Sequence, residues 1–399
     1  MKKVKYLILG AGPSALSFAH RLLEHGEDSF LLLEKEKEGG GLCRSIEIDG
    51  SPLDIGGGHF LDIRKKEVLR LLFKFMPEEE WNLFDRISTI KVKNNEIDYP
   101  FESSIWQLPI EEQEEYLYSI ARAGCNLGLP MPEKFKEWIY WKLGDKIAED
   151  YMIPYNNKVQ SIDLDRLGTY WLYKLPNVSF KETLSSCLNK KQCGTIPAHA
   201  QFLYPKKYGY GEVWRRMSEN LDNRIITNTT INKIDFDELI VNDSFKGEII
   251  INTIPWTEFK TRIGMPDQVI KLINDLEYSS IDVTYYDENE QTNAHWTYIP
   301  DERISHHRIL YRHNFCSNSR GYWTETNSKR SVLLDLKWKY TNKYAYPLNT
   351  IAKPESISKI LEWSKSKNVV GLGRWGEWEH MNSDVAVEKG IQLADKIYL

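Results

Sequence analysis

Apolar residues run unbroken from Tyr6 to Leu9 and again from Leu31 to Leu33, and between them Ala15–His25 repeats its apolar positions at helical spacing. Unbroken runs suit strands buried on both faces, so the pattern predicts strand, helix and parallel strand across residues 3–34. From residue 61 to about 200 the period changes. Amphipathic stretches at Glu67–Phe75, Pro109–Ala123 and Pro132–Asp150, each introduced by Pro or turn residues, predict a mostly helical region. Arg224–Ile231 and Gly247–Pro255 read as further strands of the first sheet. Short β patterns at Ile281–Tyr286, Arg308–Tyr311 and Ser331–Leu336 predict a second, antiparallel sheet. Asn368–Arg374 is a strand running into a turn, and Asp384–Ile397 is a closing helix. No internal repeat or low-complexity linker interrupts the chain.

The first strand ends in Gly10–Ala11–Gly12–Pro13–Ser14–Ala15. Gly10 permits the tight turn, Gly12 leaves no side chain between backbone and ligand, and Ala15 keeps the helix close to the sheet. The helix N-terminus offers N–H groups and a positive dipole end to a pyrophosphate. About twenty residues on, the second strand ends in Glu34–Lys35, an acid placed to accept from both hydroxyls of an adenosine ribose. This is a dinucleotide-binding unit. Two more glycine clusters follow, Gly39–Gly40–Gly41–Leu42 and Gly56–Gly57–Gly58–His59. A nicotinamide domain has no need of them, whereas a flavin lying along the protein needs close backbone approach at several further points. The expected cofactor is therefore non-covalent FAD. The expected fold is α/β: a discontinuous Rossmann-like FAD-binding domain (residues 1–60, 201–264 and 363–399). A helical insertion (61–200) and an antiparallel-sheet insertion (265–362) interrupt it.

Composition narrows the class. At 399 residues the chain suits two or three packed units, and 13 Trp with 22 Tyr supply rings for lining pockets. A net charge of −5 without a basic block argues against a nucleic-acid surface, and no apolar stretch approaches transmembrane length. The basic start (Lys2, Lys3, Lys5) imitates a signal peptide, but its apolar run is too short. Cys43, Cys125, Cys187, Cys193 and Cys316 form no metal-like pairs and read as free thiols of a cytoplasmic protein.

The segment Gly40–Gly41–Leu42–Cys43–Arg44–Ser45 resembles the GG-x-x-R-S element of the FAD family that includes amine oxidases, protoporphyrinogen oxidase and UDP-galactopyranose mutase. Four later segments resemble the mutases in order and spacing: Ala148–Lys158, Tyr204–Gly211, Arg308–Phe315, and Tyr344–Pro347 followed by Gly373–Arg374. The resemblance implies an FAD-dependent isomerase of nucleotide sugars in surface polysaccharide synthesis. Reduced flavin attacks the anomeric carbon, and the ring opens and recloses at the other size. NAD(P)H is a possible reductant, and oligomerisation is open. It also implies that Arg308, Arg374 and Tyr346 hold the diphosphate and that His59 contacts the sugar or flavin. Tyr155, Gln160 and His380 would touch substrate. Met381, Asn382 and Ser383, at the N-terminus of the last helix, would face the flavin.

The chain also departs from the mutases. The Trp that stacks uracil in the family is Gln160 here, and the Arg after the family's L-P-V motif has no match beside Leu175–Pro176. Family Tyr and Asp positions become His380 and Asn382, a second His becomes Asp62, and Ser179–Ala200 looks like an addition. UDP-galactose is thus not the expected substrate. Two rivals remain at this stage. One is a flavin oxidoreductase of the amine-oxidase or protoporphyrinogen-oxidase type, which needs no phosphate clamp. The other is a flavin-bound assembly partner without turnover.

Overall fold

The computed structural model describes residues 1–194, 200–332 and 337–398. The strand Lys2–Leu9 lies inside an eight-stranded sheet, parallel to Phe30–Leu33 on one side and Phe245–Asn252 on the other. Val369–Gly371 joins parallel to Phe245–Asn252, so strands from the beginning, middle and end of the chain meet in one sheet. The edge strand is only Ile225–Ile226, shorter than the expected Arg224–Ile231. Asn228 takes a left-handed conformation (φ 51°) and turns the chain off the sheet.

The helix Pro13–Glu24 packs along the closing helix Ser383–Tyr398. Their approach depends on Gly390, where a Cβ would lie 2.2 Å from Ser17 Oγ and 2.5 Å from the Ser14 carbonyl oxygen.

The second sheet has seven strands and is mostly antiparallel, in the order Trp338–Pro347, Tyr278–Tyr286, Tyr322–Asn327, Arg308–Leu310, Trp296–Tyr298, Ser88–Val92 and Asn95–Asp98. Of the strand expected at Ser331–Leu336, residues 333–336 lie outside the described residues. The region 61–200 carries the expected helices, Lys66–Leu72, Ile110–Ala121 and Phe135–Ile147, but it also contributes strands. Ser88–Val92 and Asn95–Asp98 extend the second sheet. Leu61–Asp62 and Trp81–Asp85 flank Gln201–Pro205, at the start of the segment 201–264, in a separate three-stranded sheet. A π-helical turn, Ala148–Met152, leads into the helix Ile153–Gln160, which faces the second sheet. Among the described residues no helix is long and apolar enough to cross a membrane.

Candidate functional site

Two adjoining cavities open where the sheets meet. The first begins at the carboxyl end of Lys2–Leu9, the position that open α/β sheets use for ligands. Gly10 (φ +95°) turns the chain there, and its N–H donates to the Leu33 carbonyl (2.8 Å). Gly12 precedes the helix with ordinary φ (−76°), no side chain caps its N–H groups, and a Cβ at Gly12 would meet nothing within 4 Å. The space beside Gly12 is the cavity itself. Pro13 and Ser14 line it at the helix start, and Ala15 is buried behind them.

Glu34 sits at the far end of this cavity, 6% exposed, with Lys35 beside it. Its Oε2 accepts from the Ala11 N–H (2.8 Å) and its Oε1 from the Glu36 N–H (2.9 Å). Burial raises its pKa, and these N–H groups partly offset that. Each oxygen keeps a lone pair for a ribose hydroxyl. Gly41 and Leu42 form the opposite lip, with Gly41 in the left-handed region (φ +56°), where a Cβ would come 3.3 Å from Gly12 Cα. An elongated dinucleotide fits this arrangement: a cradle at Gly12 clear of side chains, a helix N-terminus that no side chain caps, and a carboxylate with lone pairs to spare.

Behind that lip the segments Arg44–Ser45 and Tyr204–Gly211 are tied together by Asp54, which is fully buried. It accepts from Ser45 Oγ (2.5 Å), Tyr204 Oη (3.1 Å) and the Tyr210 N–H (3.1 Å). Burial nonetheless pushes its pKa up to about 7.

Leu42, His59, Arg374, Asn382 and Ser383 line both cavities and mark their junction, and Met381 lines the first. His59 Nδ1 lies 3.2 Å from the Gly57 carbonyl oxygen, and burial brings its pKa down to about 4, so the ring is neutral near pH 7. Gly58 lines the second cavity beside it, whereas Gly57 lines neither and holds the turn in the left-handed region (φ +89°). Arg374 donates through Nε and Nη2 to the Met381 carbonyl (3.1 and 2.5 Å) and through Nη1 to that of Ala345 (3.0 Å). No carboxylate balances its charge among the described residues. A cation held this way favours an anionic ligand. Ser383 opens the last helix and its Oγ lies 2.6 Å from Tyr210 Oη, with the positive helix end behind it.

The second cavity brings together the residues expected to touch substrate: Tyr155, Gln160, Arg308, Tyr346 and His380. The ring of Tyr346 meets that of His380 edge-on (4.9 Å). Neither Tyr155 nor Tyr346 hydrogen-bonds through its hydroxyl among the described residues, and burial raises both pKa values. Arg308 is not free. It holds Glu325 through Nε (2.9 Å to Oε2) and Nη2 (2.7 Å to Oε1), leaving Nη1 without a hydrogen bond among the described residues. Glu325 is 1% exposed and also accepts from the Gly58 N–H (2.7 Å), so one carboxylate joins the arginine to the glycine turn before His59. Burial alone would raise its pKa, but Arg308, His307 and that N–H bring it down to about 2.

Sequence reasoning missed Glu325, and it missed Arg86, whose guanidinium lies 4.4 Å from the Tyr99 ring and 4.8 Å from that of Trp296 on the cavity wall. Glu325 had one legible hint, an acid inside a strand whose neighbours are buried. Asp62, at a position where the family has His, lines neither cavity and pairs with Arg64 (2.6 Å).

Residues 8–75 match the family described as NAD(P)-binding Rossmann-like domain. The whole chain superposes on a reduced UDP-galactopyranose mutase with a TM-score of 0.89 and 22% identity, spanning 100% of this chain and 94% of that one. A CLA-producing fatty acid isomerase from P. acnes (TM-score 0.68, 13% identity) and a putrescine oxidase bound to putrescine (0.66, 14%) each span 99% of both chains. The chain thus has the fold of UDP-galactopyranose mutase, opened by a Rossmann-like NAD(P)-binding domain. An uncharacterized protein of Methanothermococcus thermolithotrophicus is 36% identical over 101 residues, 97% of its length and 23% of this chain, and the chain belongs to one family with it.

Proposed function

We propose that the chain binds FAD non-covalently in the first cavity and interconverts pyranose and furanose forms of a nucleotide sugar in the second, in the cytoplasm, for surface polysaccharide synthesis. One observation carries this reading: near the junction with the dinucleotide groove the cavity holds the guanidiniums of Arg308 and Arg374, with Arg86 also on its wall, and two tyrosine hydroxyls, Tyr155 and Tyr346, without hydrogen-bond partners among the described residues. Charged planar donors beside neutral ones suit a diphosphate that must leave, wait and return.

When bound and reduced, the flavin supplies a nucleophilic nitrogen for an anomeric carbon. The chain does the rest. Arg308, fixed by Glu325, presents Nη1 to the diphosphate, and Arg374 adds charge at the junction. Tyr346 donates its hydroxyl to a phosphate oxygen. His59, neutral near pH 7, hydrogen-bonds sugar or flavin without competing for the anion. Gln160 and His380 border the bound substrate. The Glu34 carboxylate takes the adenosine ribose, and Met381, Asn382 and Ser383 face the flavin at the last helix.

An amine-oxidising alternative has no use for such a set of anion-binding donors, Arg374 above all, whose charge no carboxylate balances among the described residues. The deciding test compares oxidised with dithionite-reduced protein, without oxygen, on a panel of nucleotide furanoses. Ring-size equilibration only in the reduced protein is the expected result. Turnover by the oxidised form, with the flavin bleached by substrate and peroxide released on re-admitting air, would move the chain to the oxidoreductases.

A further inference from the structure

Glu102 is a carboxylate that the proposed chemistry leaves unused. It stands in the short turn Phe101–Ser103 and lines the second cavity but not the first. Among the described residues its side chain meets only its own backbone N–H. Partial burial raises its pKa against the opposing charge of Lys142, whose ammonium is engaged by Asn177 Oδ1 (2.7 Å). Glu102 is half-buried on the cavity wall, and no other residue among those described donates a hydrogen bond to it, so its oxygens are open to donors on a ligand.

Its position says which part of a ligand it meets. A file of rings leads away from the diphosphate clamp. His307, next to Arg308, lies 6.1 Å from Tyr155; Tyr155 lies 5.7 Å from Tyr151; and Tyr151 stacks on Phe101 at 5.6 Å. Glu102 follows Phe101 at the end of this file, remote from the flavin junction. Trp138, Trp171 and Tyr151 line the same cavity and offer faces on which a planar base stacks.

Resting on the nucleotide-sugar reading above, we propose that Glu102 selects the nucleobase, accepting two parallel N–H bonds from the N1–H and exocyclic amine of guanine. A carboxylate matches a pair of adjacent donors. Uracil offers a single N–H between two carbonyls whose lone pairs face the carboxylate. Adenine and cytosine each set one amine beside an acceptor. A site built to satisfy two donors therefore rejects the other bases by leaving its own acid unpaired.

The test is calorimetric titration of the FAD-loaded protein with GDP, UDP, CDP and ADP, for the wild type and for Glu102→Gln. GDP is expected to bind at least about 10-fold tighter than the others, one well-made charge-assisted pair. Glu102→Gln removes that preference while UDP affinity, FAD content and melting temperature stay unchanged. UDP or ADP binding as tightly as GDP overturns the assignment, as does a loss in the variant that is equal for all bases. The wild-type ranking decides the matter even where the variant folds poorly. Failure of every diphosphate to bind overturns the clamp itself, whereas tight binding without base preference overturns only the role of Glu102.

Discussion

A Cβ added at Gly12 would meet no protein atom within 4 Å, and its backbone angle is one any residue adopts. Gly12→Val is therefore expected to fold with an unchanged circular dichroism spectrum yet to retain no flavin after reconstitution. A yellow, stable variant would remove the pyrophosphate from this cradle. Arg308 behaves oppositely. Removing it strands Glu325, which is 1% exposed, and leaving one partner of a buried pair unmatched costs about 3–5 kcal/mol. Arg308→Ala should lose both substrate affinity and stability in chemical denaturation, and the double change Arg308→Met with Glu325→Leu should recover stability but not turnover. Full stability in the single variant would count against the buried pair. The two residues differ in how legible they were. Gly10, Gly12 and Glu34 act through one short segment whose spacing is itself the signal. Arg308 takes its meaning from Glu325, an adjacent-strand partner that no local pattern names.

At the scale of elements, Gly390 fixes how closely the first and last helices approach. Alanine is ordinarily better than glycine in a helix by about 1 kcal/mol. Here the added carbon would meet Ser17 Oγ at 2.2 Å and the Ser14 carbonyl oxygen at 2.5 Å, and backbone cannot turn aside. Gly390→Ala should therefore lower the melting temperature and, by displacing the Pro13 and Ser383 helix ends, weaken flavin binding. A rise in melting temperature would refute the close contact. The long elements were legible because each buries one continuous run or stripe, as in Lys2–Leu9 and Ile110–Ala121. The hairpin Ser88–Asp98 was not recognised, although Ser88, Ile90 and Val92 alternate inward and Lys93 turns at φ 52°. Its strands are short and find their partner at Trp296–Tyr298, far along the chain, so helical neighbours masked them.

Across the whole molecule, histidines shielded from water contribute to the response to acid. Burial brings His59, His295 and His306 each down to about 4, against about 6.5 in an unfolded chain. The unfolded state then takes up protons first as the pH falls. The stability these residues allow is complete above about 6.5 and declines steadily toward 4. Glu325 works in a lower window. Its native pKa of about 2 means that its contribution stands above the ordinary carboxylate range and is lost from there down to about 2. Asp54 opposes the histidines: its native pKa of about 7 lies above the ordinary carboxylate value, so the folded state takes up that proton first and gains stability as the pH falls through the same window. The steeper fall in melting temperature is expected below pH 4.5 or so, where the contribution of Glu325 is lost. His295 gives the first window a structural cause: its Nδ1 accepts from the Ile87 N–H (2.9 Å), a bond that protonation removes. His306→Gln should flatten the slope between pH 6.5 and 4 while leaving the lower window in place. A slope left unchanged by His306→Gln would show that this ring is not held neutral in the folded protein.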